Sequence, residues 1–237
     1  MTCSRQIFVA IALAATATVA TAADAGWQGK GEAGIVLARG NTDARTVNLK
    51  LAMSEESGDW KHALEIAALR ASNAGVTSAD RYMAGWQSDY KINARAFGFG
   101  GVRYENDKFS GFDYQASVSA GLGYKFYDTE KMQLSAQVGV GYRRLQETAT
   151  GKASGNAVIV GGFDYQNVLT ATTKLVDKFH VESGADNTLL VNFLGLEVKM
   201  STALALAVGL DAHQNTNPPA GKKQMDLTTT LNVVYAF

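Results

Sequence analysis

The sequence predicts an all-β protein, a transmembrane antiparallel up-and-down β-barrel of about twelve strands with its N- and C-termini on the periplasmic side. Three observations predict it. A secretory signal opens the chain. The remainder alternates apolar and polar residues over many short segments. The final residue is an aromatic that ends one such segment.

The signal is Met1–Ala23, MTCSRQIFVAIALAATATVATAA. Arg5 precedes an apolar run from Ile7 to Ala15, and A-x-A patterns follow at Ala20-Thr21-Ala22 and beside Ala23. That is the three-part layout of a cleaved signal peptide. The apolar run is too short for a spanning helix, which needs about 20 residues. Cleavage is expected after Ala22 or Ala23, leaving 24–237 as the barrel. The single cysteine, Cys3, leaves with the signal. The mature chain then has no thiol, which excludes disulfides, Cys-bound zinc and a Cys nucleophile.

Composition narrows the class further. The chain has 22 basic and 22 acidic residues, a formal net charge of zero, so a general polyanion binder is excluded. No nucleic-acid partner is expected. Charged residues are 19% of the chain, below the roughly 25% of soluble domains. No later run of about 18 apolar residues occurs, a test that barrel strands evade because their two faces alternate.

Taken in order, strands are expected near 29–39, 44–55, 60–72, 79–90, 95–107, 111–126, 131–146, 156–167, 170–183, 187–199, 202–214 and 224–237. The second sets Val47, Leu49, Leu51 and Met53 against Thr46, Asn48, Lys50 and Ser54. The sixth alternates most cleanly. Phe112, Tyr114, Ala116, Val118, Ala120, Leu122, Tyr124 and Phe126 are separated by Asp113, Gln115, Ser117, Ser119, Gly121, Gly123 and Lys125. The seventh sets Met132, Leu134, Ala136, Val138, Val140 and Tyr142 against Gln133, Ser135, Gln137, Gly139, Gly141 and Arg143. The eleventh and twelfth repeat the pattern, with Leu204, Leu206, Val208 and Leu210, then Leu227, Leu231, Val233, Tyr235 and Phe237, on one face. A period of two places each set on one side of a strand. The first, fifth, eighth and tenth strands are less tidy. Gly98, Gly100, Gly101, Gly161 and Gly162 suggest bends or bulges there. The tenth has apolar residues on both faces.

The apolar face is expected to meet lipid, with aromatic girdles at both interfaces. Tyr90, Phe97, Tyr124, Phe126 and Tyr235 fall beside one set of turns, and Tyr82, Phe112, Tyr114 and Tyr142 toward the other. The first set of turns is short. The second includes longer loops at Asn73–Ser78, Glu147–Gly155 and Gln214–Lys223. The C-terminal Leu231, Val233, Tyr235 and Phe237 resemble the signal that outer-membrane barrels present to their assembly machinery.

Several stretches also resemble the YdiY-like family of salt-induced outer-membrane proteins. These are Gly40-Asn41-Thr42, Tyr104 to Phe112 (YENDKFSGF), Gly121-Leu122-Gly123-Tyr124, and Gly139-Val140-Gly141-Tyr142-Arg143. The likeness runs from about Gly29 to Phe237. It implies an outer-membrane β-barrel and carries no catalytic residues to transfer.

The polar face is the expected working surface. Lys50, Glu65, Arg81, Asp89, Asp113, Lys125, Arg143, Asp211 and Asp226 are expected to line the lumen, as a polar solute path or as a cross-barrel salt-bridge network. Mixed signs favour internal pairing, and the many lumen glycines favour a narrow or blocked channel. The leading function is a non-enzymatic outer-membrane protein, a narrow channel for small polar solutes or ions with an osmotic or salt role implied by the resemblance. The alternative is a structural envelope stress protein with a closed lumen. A lipid hydrolase on the outer rim would need a Ser and a His in hydrogen-bond reach on the lipid-facing wall. His180 and His213 should point to the lumen, and His62 should be interfacial. Asp107, Asp113 and Asp186 near outer loops could share a divalent cation. No cofactor is expected. The expected partners are outer-membrane lipid, with the barrel assembly machinery and periplasmic chaperones during biogenesis.

Overall fold

The structure is a computed structural model that describes residues 26–38 and 44–237. The signal segment and the Gly40-Asn41-Thr42 stretch lie outside the described residues. Twelve strands follow one another: β1 Gln28–Ala38, β2 Ala44–Ser57, β3 Trp60–Asn73, β4 Val76–Lys91, β5 Ala96–Asp107, β6 Phe112–Asp128, β7 Met132–Glu147, β8 Ala153–Val168, β9 Thr173–Gly184, β10 Thr188–Lys199, β11 Leu204–Asn215 and β12 Met225–Ala236. Each pairs antiparallel with its sequence neighbours, and β1 pairs with β12, so the sheet closes into a barrel. Among the described residues no helix is long and apolar enough to cross a membrane.

Closure brings the two termini to one end. Gly29 and Phe237 exchange both backbone hydrogen bonds at 3.0 Å. That end carries the β2–β3, β4–β5, β6–β7, β8–β9 and β10–β11 turns, and the opposite, far end carries the rest. Residues 92–95, 129–131, 169–172 and 200–203 make compact turns. Side chains cap them: the Asn93 carboxamide accepts from the N–H groups of Arg95 and Ala96, and the Thr170 and Ser201 hydroxyls accept from the N–H groups of Thr173 and Leu204 in their own turns.

The alternation read from the sequence sorts the wall into two faces. Val118, Val138, Val140, Ile159, Val208 and Leu231 point outward and are more than half exposed. In lipid that apolar band is the stable side, since no core exists for it to fill. Tyr90, Tyr124, Phe126, Tyr235 and Phe237 ring the termini end, while Tyr82, Tyr104, Tyr114 and Tyr142 ring the far end.

Four expectations are corrected. Phe112 is not on the lipid face but 3% exposed and inside. The β6–β7 register shifts between Phe112 and Tyr114, so Asp113 is an extra residue in a bulge. One extra residue inverts the facing of everything beyond it. Asp113 is accordingly not a lumen-lining carboxylate: its carbonyl accepts from the Asn106 amide, and it does not border the cavity. Phe97 is not part of the outer girdle. It shares the inward face of β5 with Phe99, Arg103, Glu105 and Asp107. Finally, Asn73–Ser78 is not a long loop. Ala74 and Gly75 form a two-residue hairpin turn with φ of 50° and 78°. Positive φ at both central residues matches the twist of paired strands.

Gly121 and Gly123 make room for the Phe99 and Phe97 rings of the neighbouring strand, which a Cβ at either position would meet. Gly195 and Gly209 receive the Phe193 ring in the same way.

Ala74 holds a left-handed conformation that costs an L-residue with a Cβ roughly 1–2 kcal/mol. Ala74→Gly is therefore expected to stabilise the barrel by about 0.5–1 kcal/mol after glycine's own entropy cost. The temperature at which the folded band converts to the unfolded band on gels should rise; a fall would show that the turn is not strained.

Candidate functional site

A cavity of about 1130 Å³ fills the termini half of the lumen. Its rim includes Lys30, Lys61, Lys125, Asp128, Lys174, Glu197 and Lys199, and it reaches inward to Arg81, Glu105, Glu182, Asp211 and His213. Small residues on its walls make the room: Ala63, Ala67, Gly85, Ser119, Ser135 and Gly162.

Most charges in this vestibule are paired. Glu197 is shared by Lys30 at 2.5 Å and Lys174 at 3.0 Å. Lys50 meets Glu65 at 2.8 Å and sits 5.2 Å from the centre of the Phe193 ring, which belongs to a strand across the lumen. Lys125 meets Asp128 at 3.2 Å, and Asp89 accepts from the Gln87 amide at 2.8 Å. Gln87 and Gln137 exchange hydrogen bonds at 3.1 and 3.3 Å over three strands.

The floor is a cross-barrel charge layer. Arg81 donates to Asp107 at 2.7 Å and approaches Asp211 at 3.6 Å. Arg103 pairs with Glu105, which is 2% exposed. Glu105 lies 3.5 Å from His213, six strands away around the ring. Glu182 accepts from Ser117 at 2.7 Å and contacts His180 at 3.2 Å and Arg143 at 3.6 Å. Buried charges of this kind are stable only when their hydrogen bonds are complete. Arg143 completes its set on the carbonyls of Glu182 and Asn187.

Above the floor the lumen is packed. Phe112, Gln115, Arg143, Leu145, Val158, Asn187 and Leu189 are all buried there. The Gln115 amide has no hydrogen-bond partner at either atom. Residues 216–224 then fold over the far mouth. Asn217 is tied to Asn187 and Asp186, and the Pro219 and Lys222 side chains pack over Gly111 in the β5–β6 turn opposite.

Of the residues expected to line the lumen, Lys50, Glu65, Arg81, Asp89, Lys125 and Asp211 border the cavity. Arg143 faces inward but is sealed in the plug. Asp226 is on the inward side of β12 yet exposed at the far end, so it is not a lining residue. Glu105, Arg103 and Glu182 carry the floor and were missed. Their signal was the facing they share with Asp107 and His180. Asp107 is occupied by Arg81 and by the N–H groups of Phe109 and Ser110, and Asp186 accepts from Asn156. Among the described residues no group of His, Asp or Glu is arranged to hold a metal ion.

The outer wall holds one polar pair that sequence reasoning did not join. His62 Nδ1 lies 2.9 Å from Ser88 Oγ, in register on β3 and β4 near the termini end. Trp60 and Trp86 stack against the imidazole at 6.0 and 5.7 Å.

Arg143→Ala would leave the Glu182 carboxylate buried beside an empty space. It is expected to cost about 3–5 kcal/mol, while Lys61→Ala, at the exposed rim pair with Glu56, should cost less than about 1 kcal/mol. Unfolding midpoints of the refolded variants check both, and equal costs would deny the plug its structural role.

Comparison with solved structures gives the fold. The NanC porin aligns with a TM-score of 0.53 at 12% identity, over 88% of this chain and 98% of that one. The translocator domain of the autotransporter NalP from Neisseria meningitidis aligns less closely, at 0.48 and 14% identity, over 89% and 88%. No curated protein matches in sequence. A family model, described as a protein of unknown function, DUF481, matches residues 31–237, and the chain belongs to that family.

Proposed function

We propose that this barrel resides in a Gram-negative outer membrane after signal cleavage, with the termini and the vestibule on the periplasmic side, and that its lumen is a narrow, gated channel for small polar solutes or ions. The observation that carries the reading is the vestibule itself. It is a large cavity rimmed by charged side chains and entered from one end, and it stops at a charge layer and plug rather than at a continuous apolar core. Lumen chemistry of this kind passes solutes without catalysis, by orienting them between paired charges. An open state needs the plug around Gln115, whose amide has no hydrogen-bond partner, and the loop 216–224 over the mouth to move aside. The link to salt or osmotic stress rests on the family resemblance.

A second reading has support of its own. The contacts from β5 to β11 and from β7 to β9 brace the barrel internally, as a closed structural protein would need. Single-channel recording separates the two. The native protein is expected to show brief, small openings. Replacing Pro219–Lys222 with Gly-Ser residues, together with Glu105→Ala, should give larger and longer ones. Silence from both proteins would remove the channel and leave the closed barrel.

Biogenesis follows the same reading. Leu231, Val233, Tyr235 and Phe237 all face outward and are exposed, available to periplasmic chaperones and the barrel assembly machinery. Removing Phe237 takes away the last ring and the residue that pairs with Gly29. It should lower the yield of heat-modifiable barrel in outer-membrane fractions several-fold; unchanged yield would discard the C-terminal signal.

A further inference from the structure

We propose that the outer wall carries a catalytic site distinct from the lumen, with Ser88 as nucleophile and His62 as its base, acting on acyl esters of membrane lipids. The proposal goes beyond the channel reading and does not depend on it.

The geometry begins with register. His62 and Ser88 are directly opposed on β3 and β4, and both side chains are on the outward, lipid-facing side with Ile66, Tyr82 and Tyr90. The contact of 2.9 Å is within the range a base needs to take a hydroxyl proton. Trp86 makes no demand on that proton. Its indole Nε1 lies 3.0 Å from Ser88 Oγ, and an indole N–H can only donate. Ser88 Oγ therefore accepts from Trp86 and keeps its single proton available for His62 Nδ1. In the tautomer with the ring hydrogen on Nε2, Nδ1 is the acceptor for that proton, and this is the form the proposed chemistry uses.

The surroundings hold the base in place. Trp60 and Trp86 flank the imidazole, restricting its rotation. On the other side, Glu55 of β2 is the in-register partner of His62 and lies on the same outward face. Glu55, His62 and Ser88 thus form a row across three adjacent strands, an acid, a base and a hydroxyl in the order that acyl transfer uses. Glu55 acts here as a positioning residue for the Nε2–H side of the ring. It is not within ion-pair distance in this structure, and such contacts tighten on substrate binding.

Location selects the substrate. The pair sits two residues from the Gly58-Asp59 turn, beside the exposed rings of Trp60 and Tyr90. Aromatic girdles mark the level where the ester groups of lipids meet water. A lipid ester can reach Ser88 from the membrane side while water reaches it from the turn. In the first step the Ser88 Oγ–carbon bond forms as the ester C–O bond breaks. The hydroxyl proton passes to His62 and then to the departing alcohol. In the second step water, deprotonated by His62, attacks the acyl-serine, releasing a fatty acid and restoring the Ser88 hydroxyl.

The test uses the full mature barrel refolded in phosphatidylethanolamine nanodiscs, with foldedness checked by heat-dependent gel mobility. An alkyl fluorophosphonate probe should label Ser88, forming an Oγ–P bond with loss of fluoride. Ser88→Ala should abolish labelling, and His62→Asn should slow it at least 100-fold. Glu55→Gln should slow it less, with labelling restored in Glu55→Asp. Fatty-acid release from the nanodisc lipid should follow the same order. Absence of labelling in the native protein would overturn the proposal, as would labelling or hydrolysis that survives in Ser88→Ala or is unchanged in His62→Asn. Conductance is unaffected by either outcome, so failure here is distinguishable from failure of the channel.

Discussion

Closure of the hydrogen-bond ladder is the constraint on which the remaining structure depends. A strand in hydrocarbon has no water to satisfy its N–H and C=O groups, so each must bond to a neighbour and the sheet must have no free edge. The β1–β12 seam meets this requirement differently from the other junctions. Its ladder runs only from Lys30 opposite Ala236 to Ala33 opposite Val233, extended by the reciprocal Gly29–Phe237 bonds. The β1–β2 ladder runs the full length of β1. Side chains reinforce the short seam. Asn232, 2% exposed, bonds to Glu32 of β1 and accepts from Asn48 of β2. Gly34 leaves the space that Asn232 occupies.

Once the ring is closed, every second side chain is committed to the inside, and the fill decides what the lumen is. Near the termini the inward residues are often alanine, glycine and serine, and a vestibule remains. Toward the far end they include Phe112, Arg143, Leu145, Val158 and Leu189, which meet and close the bore. Between the two zones lie arginines and carboxylates on β4, β5, β9 and β11, long enough to reach over the centre. Their charges are offset in local pairs, Arg81 with Asp107 and Arg103 with Glu105, which lets a chain with zero net charge hold a strongly charged interior. Charges that neutralise one another across the lumen are held there by geometry that the closed wall imposes.

The strand count, the outward face of most strands and the terminal aromatic row were legible in the sequence, because a period of two needs no knowledge of partners. The errors fall where that period breaks. The bulge at Asp113 inverted the facing of Phe112, and β5, interrupted by Gly98, Gly100 and Gly101, hid the inward facing of Phe97 and Phe99. The floor was only half legible. Arg81 and Asp211 could be placed inside, but their approach spans five strand steps around the ring, a relation that pattern does not encode. The His62–Ser88 pair was hidden for a related reason. Its register depends on the tight Ala74-Gly75 turn, which the sequence left inside an expected loop, and on the irregularity beside Ser72, at the end of an expected strand.

The same period that builds the wall also separates its two surfaces chemically. On β4, Gln87 and Asp89 point inward and bond to each other, while Trp86 and Ser88 between them point outward and bond to each other. Residues adjacent in sequence thus answer to different solvents, one aqueous and confined, the other lipid and open. A polar pair on the lipid side cannot be explained by the lumen's need for charge balance. It must be satisfied locally, and Trp86 donates to the Ser88 hydroxyl, which is hydrogen-bonded in turn to His62 Nδ1. A hydroxyl held on the outward face within 2.9 Å of an imidazole is more than an inert filling of the girdle, since a Phe at that position would cover the interface without any polar atom to satisfy.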